Sequence, residues 1–289
     1  LAQKVNQAII DKQWTDGLSS YNQANAICSL TDDGFRFYRP PNLALTTVGT
    51  TVWGGTKIYI PEGTFIAGKK YEYKYQGDLP PLDEINIHPI DSSYSDDTIM
   101  TLASARSIML NTDIEHEYKF WTNRYSDYGF GKGFMEWCKT PPGTINNSWA
   151  NGCLMRISPF IWIDHMYGAM IQSIKTSHNH PDSIKACEEL FDAYQYNDLQ
   201  LFPKPKPWKE FEVRAIPTME FVNQVYYASS STQEAIKIAI SCGGDTDTTA
   251  SIVGELSNYK RNDLTKEDTE FVEMMLSTEL LEILKQFNK

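Results

Sequence analysis

Two short stretches of the chain concentrate oxygen-bearing side chains where a helix is predicted to begin. The first runs from Gly243 to Thr248 and places two carboxylates and two hydroxyls just before an apolar helical pattern. Asp245, Asp247 and Thr248 offer three hard oxygen donors within four residues, and like charges this close are costly unless a divalent cation neutralises them. The competing interpretation is a helix cap, since Asp and Thr are favoured in a first turn.

The second stretch, Ser95-Asp96-Asp97-Thr98, precedes the first strong helical pattern. A cap is again an alternative, because acids at this position stabilise a helix by about 0.3–1 kcal/mol each. If the fold brings both stretches together, four aspartates and two hydroxyls surround one small volume. Such a donor set suits Mg²⁺, Mn²⁺ or Ca²⁺ and fits zinc poorly, because no His or Cys adjoins it. Two cations a few ångströms apart would balance the four negative charges.

Three weaker motifs lie between these stretches. The polar loop 146–152 can expose backbone N–H groups to a phosphate. Tyr128 and Phe130 lie on a glycine-containing turn, where they would either stack against a base or anchor the loop to the core. His178 and His180 are two residues apart and cannot share one helix face. The spacing allows one of them to contact a ligand while the other caps or packs, although a surface or core role is commoner for either histidine taken singly.

Composition restricts the class of protein. The 289 residues carry a net charge of −11 and are 41% hydrophobic, which is enough for one large domain or two smaller ones. No apolar run reaches the roughly 18 residues of a membrane span, and the first residues do not resemble a signal peptide. We therefore expect a cytoplasmic protein that does not bind membranes. The acidic balance disfavours nucleic-acid binding. Five widely spaced cysteines fit reduced thiols better than a disulfide framework.

The elements that must position these residues fall into two parts. Residues 1 to about 90 predict a short helix at Val5–Trp14, then hairpins and loops, with strands at Thr50–Trp53 and Lys57–Ile60 and a turn at Thr31–Gly34. From Ser95 onward the apolar spacing predicts helices. They cover Ser95 to about Met109, Glu115–Arg124, Lys132–Lys139, a single buried helix over Ile157–Ile174, Asp182–Tyr194, Met219–Tyr227, Thr232–Ile240, Thr248–Asn258 and a single helix over Lys266–Phe287, with a proline-rich loop near Pro203–Pro207.

Taken in order, the motifs resemble the ADP-ribosylglycohydrolase family. They are Ser95–Thr98, Tyr128–Gly131, Asn147-Ser148 with Asn151-Gly152 and Met155-Arg156, Ser177–Pro181 and Gly243–Thr248. The resemblance implies an all-α orthogonal multi-helix bundle with an irregular, partly β N-terminal portion. It also implies two divalent cations, most often Mg²⁺ with Mn²⁺ as an alternative, and release of ADP-ribose from modified protein side chains or related small molecules.

The same resemblance assigns roles to individual residues. The metal ligands would be Ser95, Asp96, Asp97, Asp245, Asp247 and Thr248, with Ser95 in place of the more usual threonine. Asp96 or Asp97 would relay the catalytic proton. The diphosphate and ribose would be lined by Ser148, Asn151 and Gly152, with Tyr128, Phe130 and His178 near the ligand.

The chain departs from the family pattern at its N-terminal side. The usual small-residue motif of the first helix is missing before Ser95, and Glu62 and Glu72 are not in a matching context. We therefore divide the chain into an atypical segment, 1–90, and a helical domain, 91–289. Retention of all six oxygen donors favours a hydrolase, with arginine-linked ADP-ribose as the first substrate. The alternative is an immunity or antitoxin protein whose N-terminal segment binds and blocks an ADP-ribosyltransferase toxin.

Overall fold

A computed structural model describes most of the chain from residue 81 onward and four strands before it. The described residues are 27–31, 34–38, 43–45, 50–52, 81–88, 93–196, 202–209 and 211–288. The helix predicted at Val5–Trp14, the strand at Lys57–Ile60, Glu62 and Glu72 lie outside these ranges.

The described part of the chain is predominantly helical, as predicted. Its α-helices are α1 (Asp96–Leu110), α2 (Ile114–Arg124), α3 (Lys132–Cys138), α4 (Ser158–Ile161), α5 (Tyr167–Ser177), α6 (Pro181–Gln195), α7 (Ala215–Ala228), α8 (Thr232–Ser241), α9 (Thr246–Arg261), α10 (Lys266–Met275) and α11 (Thr278–Phe287). Short 3-10 helices cover Leu82–Glu84 and Asn151–Arg156. None of these described helices combines the length and the apolar character needed to cross a membrane.

Four short strands precede the helices. They are β1 (Ile27–Thr31), β2 (Gly34–Tyr38), β3 (Leu43–Leu45) and β4 (Thr50–Val52). β1 pairs with β2 and β3 pairs with β4, both antiparallel. Thr31 lies opposite Gly34 in this pairing, whereas Asp32 and Asp33, the middle of the turn predicted at Thr31–Gly34, lie outside the described residues.

Helices α1 and α9 form the centre of the molecule. Ile99, Met100, Leu102, Ala103 and Ala105 of α1 are all buried, and a helix that is apolar around its circumference must be enclosed by other elements. Helix α9 is buried over most of the stretch from Thr246 to Asn258 and packs against α7 and α8. Each of the two oxygen-rich stretches therefore begins a central helix.

The long helix predicted over Ile157–Ile174 is wrong. The chain forms α4, leaves helical conformation after Ile161, and resumes with α5 at Tyr167. Asp164 and His165 are exposed in the interruption, and His165 has a φ of 67°. A non-glycine residue in this left-handed region cannot continue a right-handed helix.

The C-terminal helix predicted over Lys266–Phe287 is also divided. Leu276, at φ −74° and ψ 145°, ends α10 in extended conformation. The Ser277 side chain then accepts a hydrogen bond from the backbone N–H of Leu280. This N-cap begins α11 and explains why one apolar stripe serves two helices.

The Thr101 side chain connects α1 with the 3-10 helix Asn151–Arg156. Its Oγ1 lies 2.8 Å from the carbonyl oxygen of Asp97 and 2.7 Å from that of Met155. Thr101 is fully buried. One hydroxyl therefore holds the start of α1 against a second segment that carries predicted site residues.

We predict that Thr101→Val lowers the free energy of unfolding by about 1–3 kcal/mol, because a buried carbonyl loses a donor. Urea unfolding measures the change. Thr122→Val is the matched control, since the buried Thr122 hydroxyl donates to the Tyr118 carbonyl of its own helix and contacts the other helices through sulfur atoms, those of Met100 at 3.9 Å and of Cys138. Equal losses in the two variants would contradict a special role for Thr101.

Candidate functional site

The two oxygen-rich stretches meet in the fold. Asp96 and Asp97 occupy the first turn of α1, and Asp247 occupies the first turn of α9. One carboxylate oxygen from each of these three residues lies within 4.8 Å of the others. Helix caps alone do not explain this arrangement, because each cap would serve only its own helix.

Asp97 is the buried centre of the group. Ser95 Oγ donates a hydrogen bond to Asp97 Oδ2 over 2.8 Å, and the Thr248 side chain also hydrogen-bonds to this carboxylate. Asp97 Oδ1 is buried and has no hydrogen-bond partner among the described residues. Burial, followed by the nearby charges of Asp247 and Asp96, holds the pKa of Asp97 well above its usual range. An unpartnered buried oxygen beside two further carboxylates fits a bound cation.

Asp245 lies at the edge of this group rather than among its three closest members. Its Oδ2 accepts a hydrogen bond of 2.8 Å from Asn151 Nδ2, and Asn151 also reaches Thr218 Oγ1 at 3.3 Å. Burial and the charge of Asp247 raise the pKa of Asp245, while the Asn151 hydrogen bond opposes the shift. The Asn151 side chain therefore joins the group of aspartates to the predicted ligand loop.

The turn around Tyr128 fixes the other side of the cluster. The Asp96 backbone N–H donates to the Tyr128 carbonyl over 2.8 Å. Gly129 has a φ of 100°, and a Cβ there would lie 3.2 Å from Asp96 Oδ1. The Tyr128 ring stacks on Tyr94 with 4.9 Å between centroids, and the Phe130 ring stacks on Phe134 at 6.1 Å. Both aromatic rings contact other aromatic side chains, as loop anchors do.

The remaining predicted ligand residues form a second group, next to the first. His178 is buried, and its Nε2 would lie 3.5 Å from a Cβ on Gly152. Asn147 pairs with His178 in an isolated bridge. Ser148 Oγ accepts from the Ala150 N–H at 3.2 Å, a contact within the loop rather than with the aspartates.

His180 has the other role expected of the histidine pair. Its Nδ1 accepts a hydrogen bond from the Asp182 N–H over 3.2 Å, which caps the start of α6. The two histidines therefore divide between a buried position beside Gly152 and a helix cap.

Trp208 is a site residue that the sequence analysis missed. Its backbone N–H donates to the Cys242 carbonyl over 2.8 Å, and its indole fills the space next to Gly244. The proline-rich composition predicts a loop here, but no local signal indicates that the loop packs on the turn before Asp245. Gly243 and Gly244, with φ of 71° and 78°, give that turn its left-handed conformation.

Comparisons with known proteins identify the fold and the family. A family model described as ADP-ribosylglycohydrolase matches residues 53–197, half of the chain. The chain belongs to the ADP-ribosylglycohydrolase family, whose activity is hydrolysis of the glycosidic bond that attaches ADP-ribose. The match begins within the predicted 1–90 segment and ends before Asp245, so the spatial contact of the two aspartate motifs is an observation independent of it.

A solved structure supports the fold alone. It is titled "ADP-ribosylglycohydrolase-related protein complex" and aligns with 68% of this chain and 82% of its own, at a TM-score of 0.52 and 17% identity. The all-α fold predicted from the resemblance is thereby confirmed. Among curated proteins, no sequence matches the chain.

We predict that Gly244→Ala destabilises the protein by about 1–2 kcal/mol or more, because alanine is disfavoured at positive φ. In addition, the new Cβ would lie 2.6 Å from Trp208 Cδ1, so the indole must move. Thermal unfolding measures the loss. Gly168→Ala is the control, since a Cβ there meets nothing within 4 Å. Adding Trp208→Ala should recover the steric part of the loss only, and full recovery would contradict the backbone argument.

Proposed function

We propose that the protein is a metal-dependent hydrolase that releases ADP-ribose from ADP-ribosylated protein side chains, with the arginine linkage as the first substrate. The observation that carries the proposal is Asp97 Oδ1, which is buried beside the carboxylates of Asp96 and Asp247 and has no hydrogen-bond partner within the described ranges. Carboxylates held this close together in a buried site raise the free energy of the folded state unless a cation neutralises their charge. Membership of the family supports the reaction class.

The cations are proposed to be two Mg²⁺, with Mn²⁺ as the alternative. Asp96, Asp97 and Asp247 supply the closest carboxylates, and Asp245, Ser95 and Thr248 are the further ligands proposed. Hard oxygen donors without a neighbouring thiolate or imidazole suit these ions. When bound, they would orient the ribose hydroxyls and stabilise negative charge during cleavage.

Hydrolysis adds one water across the anomeric C–N bond, so a group on the protein must accept a proton from water and the leaving nitrogen must gain one. We assign the proton transfer to Asp96. Asp96 is half-buried and begins α1, whereas Asp97 is 0% exposed and surrounded by Ser95, Thr248 and two acids. A general base must reach the water, and the more accessible carboxylate satisfies this condition.

The loops beside the carboxylates are proposed to hold ADP-ribose. Ser148, Asn151 and Gly152 would contact the diphosphate and ribose, and His178, Tyr128 and Phe130 would lie near the ligand. Support comes from the Asn151–Asp245 hydrogen bond, which joins this loop to the acidic group. The bound ADP-ribose would therefore lie against both groups at once.

We predict that Asp247→Asn lowers ADP-ribose release at least about 100-fold, as expected for loss of a charged group that stabilises the transition state. The assay follows ADP-ribose released from ADP-ribosyl-arginine, ADP-ribosyl-serine and poly(ADP-ribose), with Mg²⁺ and after EDTA. Mg²⁺ should also raise the unfolding temperature of the wild type but not of the variant, because a ligand of the folded state stabilises it.

Asp164→Asn is the matched control, since Asp164 is exposed in the interruption between α4 and α5. Activity that survives both EDTA and Asp247→Asn would contradict the metal mechanism. Release from serine or poly(ADP-ribose) alone would contradict the arginine linkage while leaving the mechanism intact.

The alternative role, blocking an ADP-ribosyltransferase toxin through the N-terminal segment, stays a prediction, as do the 1–90 boundary and the cytoplasmic location. Two deletions test the segment. We expect residues 53–289 to keep hydrolysis because the family match begins at residue 53, and residues 76–289 to lose it. Retained hydrolysis by the shorter chain, with loss of transferase binding, would instead favour a separate interaction arm.

A further inference from the structure

Arg156 is a buried cation without an acidic partner among the described residues. Its side chain is 0% exposed and lies over the rings of Tyr118 and Phe134, with 4.2 Å and 5.4 Å from Cζ to the ring centroids. Nε and Nη1 have no hydrogen-bond partner in the described part of the chain. Burying a charge in this way is expensive, and the aromatic faces offset part of the cost.

The one polar contact of Arg156 within the described residues is with Ser177 and His178. Arg156 Nη2 hydrogen-bonds to Ser177 Oγ and lies 3.2 Å from His178 Nδ1. Ser177 Oγ is itself 2.9 Å from the same Nδ1. Three polar atoms from the end of the 3-10 helix and the end of α5 therefore share one small buried space.

This contact favours one position for the imidazole proton. Guanidinium nitrogens only donate hydrogen bonds, so a proton on His178 Nδ1 would lie beside the Arg156 N–H. An unprotonated Nδ1 instead accepts from Arg156 and from the Ser177 hydroxyl, and no donor then faces another donor. In a neutral imidazole the proton then resides on Nε2. Burial and the Arg156 charge hold the pKa of His178 well below its usual range, which favours this neutral form.

The Nε2 side of His178 faces Gly152. A Cβ at Gly152 would meet Nε2 at 3.5 Å, Cε1 at 3.7 Å and the Met155 methyl at 3.9 Å. The absence of a side chain at Gly152 therefore leaves room next to the Nε2–H. Gly152 follows Asn151 in the chain, and the Asn151 amide contacts Asp245. The residue beside this donor is therefore directly bonded to one that contacts the carboxylates.

We propose that Arg156 is a positioning residue that fixes His178 as a neutral imidazole protonated on Nε2, and that this N–H donates a hydrogen bond to an acceptor oxygen of bound ADP-ribose above Gly152. The role in binding rests on the proposed function. The assignment of the proton does not, because it follows from contacts within the protein. Arg156 thus acts on the ligand through His178 rather than by touching it.

The proton position is measured by imidazole nitrogen NMR of the ligand-free protein, with His178→Gln identifying the signals of His178 among the five histidines. The expected result is an unprotonated Nδ1 and a protonated Nε2 that do not titrate between about pH 5 and 8, the interval in which ordinary histidines change charge. A proton on Nδ1, or a charged ring at neutral pH, would overturn the proposal. In Arg156→Met the ring should titrate at higher pH, and an unchanged ring would refute the role of Arg156.

The donor role is measured by calorimetric binding of ADP-ribose in the presence of Mg²⁺. His178→Phe removes the N–H and leaves Gly152 in place, so it should weaken binding about tenfold, the equivalent of one hydrogen bond. His178→Gln is the matched control, because its amide N–H group can donate in place of the ring. Equal binding by the wild type and His178→Phe would overturn the donor role. If the wild type binds no ADP-ribose, the proposed function and the donor role both fail, whereas NMR alone decides the proton position.

Discussion

Mutual repulsion of clustered carboxylates, one of them fully buried, is the constraint on which the rest of this structure depends. Oxygens of Asp96, Asp97 and Asp247 lie within 4.8 Å of one another, and the fold must hold them there against their charge and against loss of solvent. The compensating contacts come from three separate segments of the chain. Ser95 and Thr248 hydrogen-bond to Asp97, and Asn151 hydrogen-bonds to Asp245. Neutral donors satisfy some of the oxygens, and the remaining oxygen, Asp97 Oδ1, is where the proposed cation would bind.

Polar side chains inside the central helices fix how neighbouring segments are aligned. Thr101 ties α1 to the 3-10 helix of the ligand loop, and Ser158 Oγ donates to Glu255 of α9 over 2.8 Å. Apolar side chains at these positions would pack as well but would not fix one register between the segments. Arg156 acts in a similar way. Its contacts set the orientation of the His178 ring and the ring nitrogen that carries the proton, and they leave a positive charge buried.

Local patterns in the sequence predict the helices and both aspartate motifs because caps, glycines and apolar spacing act over a few residues. The patterns fail where a local break competes with a continuous apolar stripe, as at His165 and at Leu276-Ser277. They also miss partners that arrive from distant segments. Trp208 beside Gly244 and Ser177 between Arg156 and His178 are contacts of the folded chain, and no spacing rule encodes them. The carboxylates could be assigned a common site only through the family resemblance, and their proximity is a property of the tertiary structure.

The burial of α9 has a consequence for the size of the cation that is proposed to bind between the carboxylates. Most residues from Thr246 to Asn258 are enclosed by neighbouring helices, so the segment that carries Asp247 cannot tilt or slide without disrupting the core. Flexible loops adapt to large ions such as Ca²⁺, which tolerates six to eight oxygens at about 2.3–2.6 Å, whereas Mg²⁺ requires a compact octahedron at about 2.0–2.1 Å. A binding site whose ligands cannot move selects among ions by their radius. Packing far from the carboxylates would thereby set the size of the ion that is proposed to lie between them.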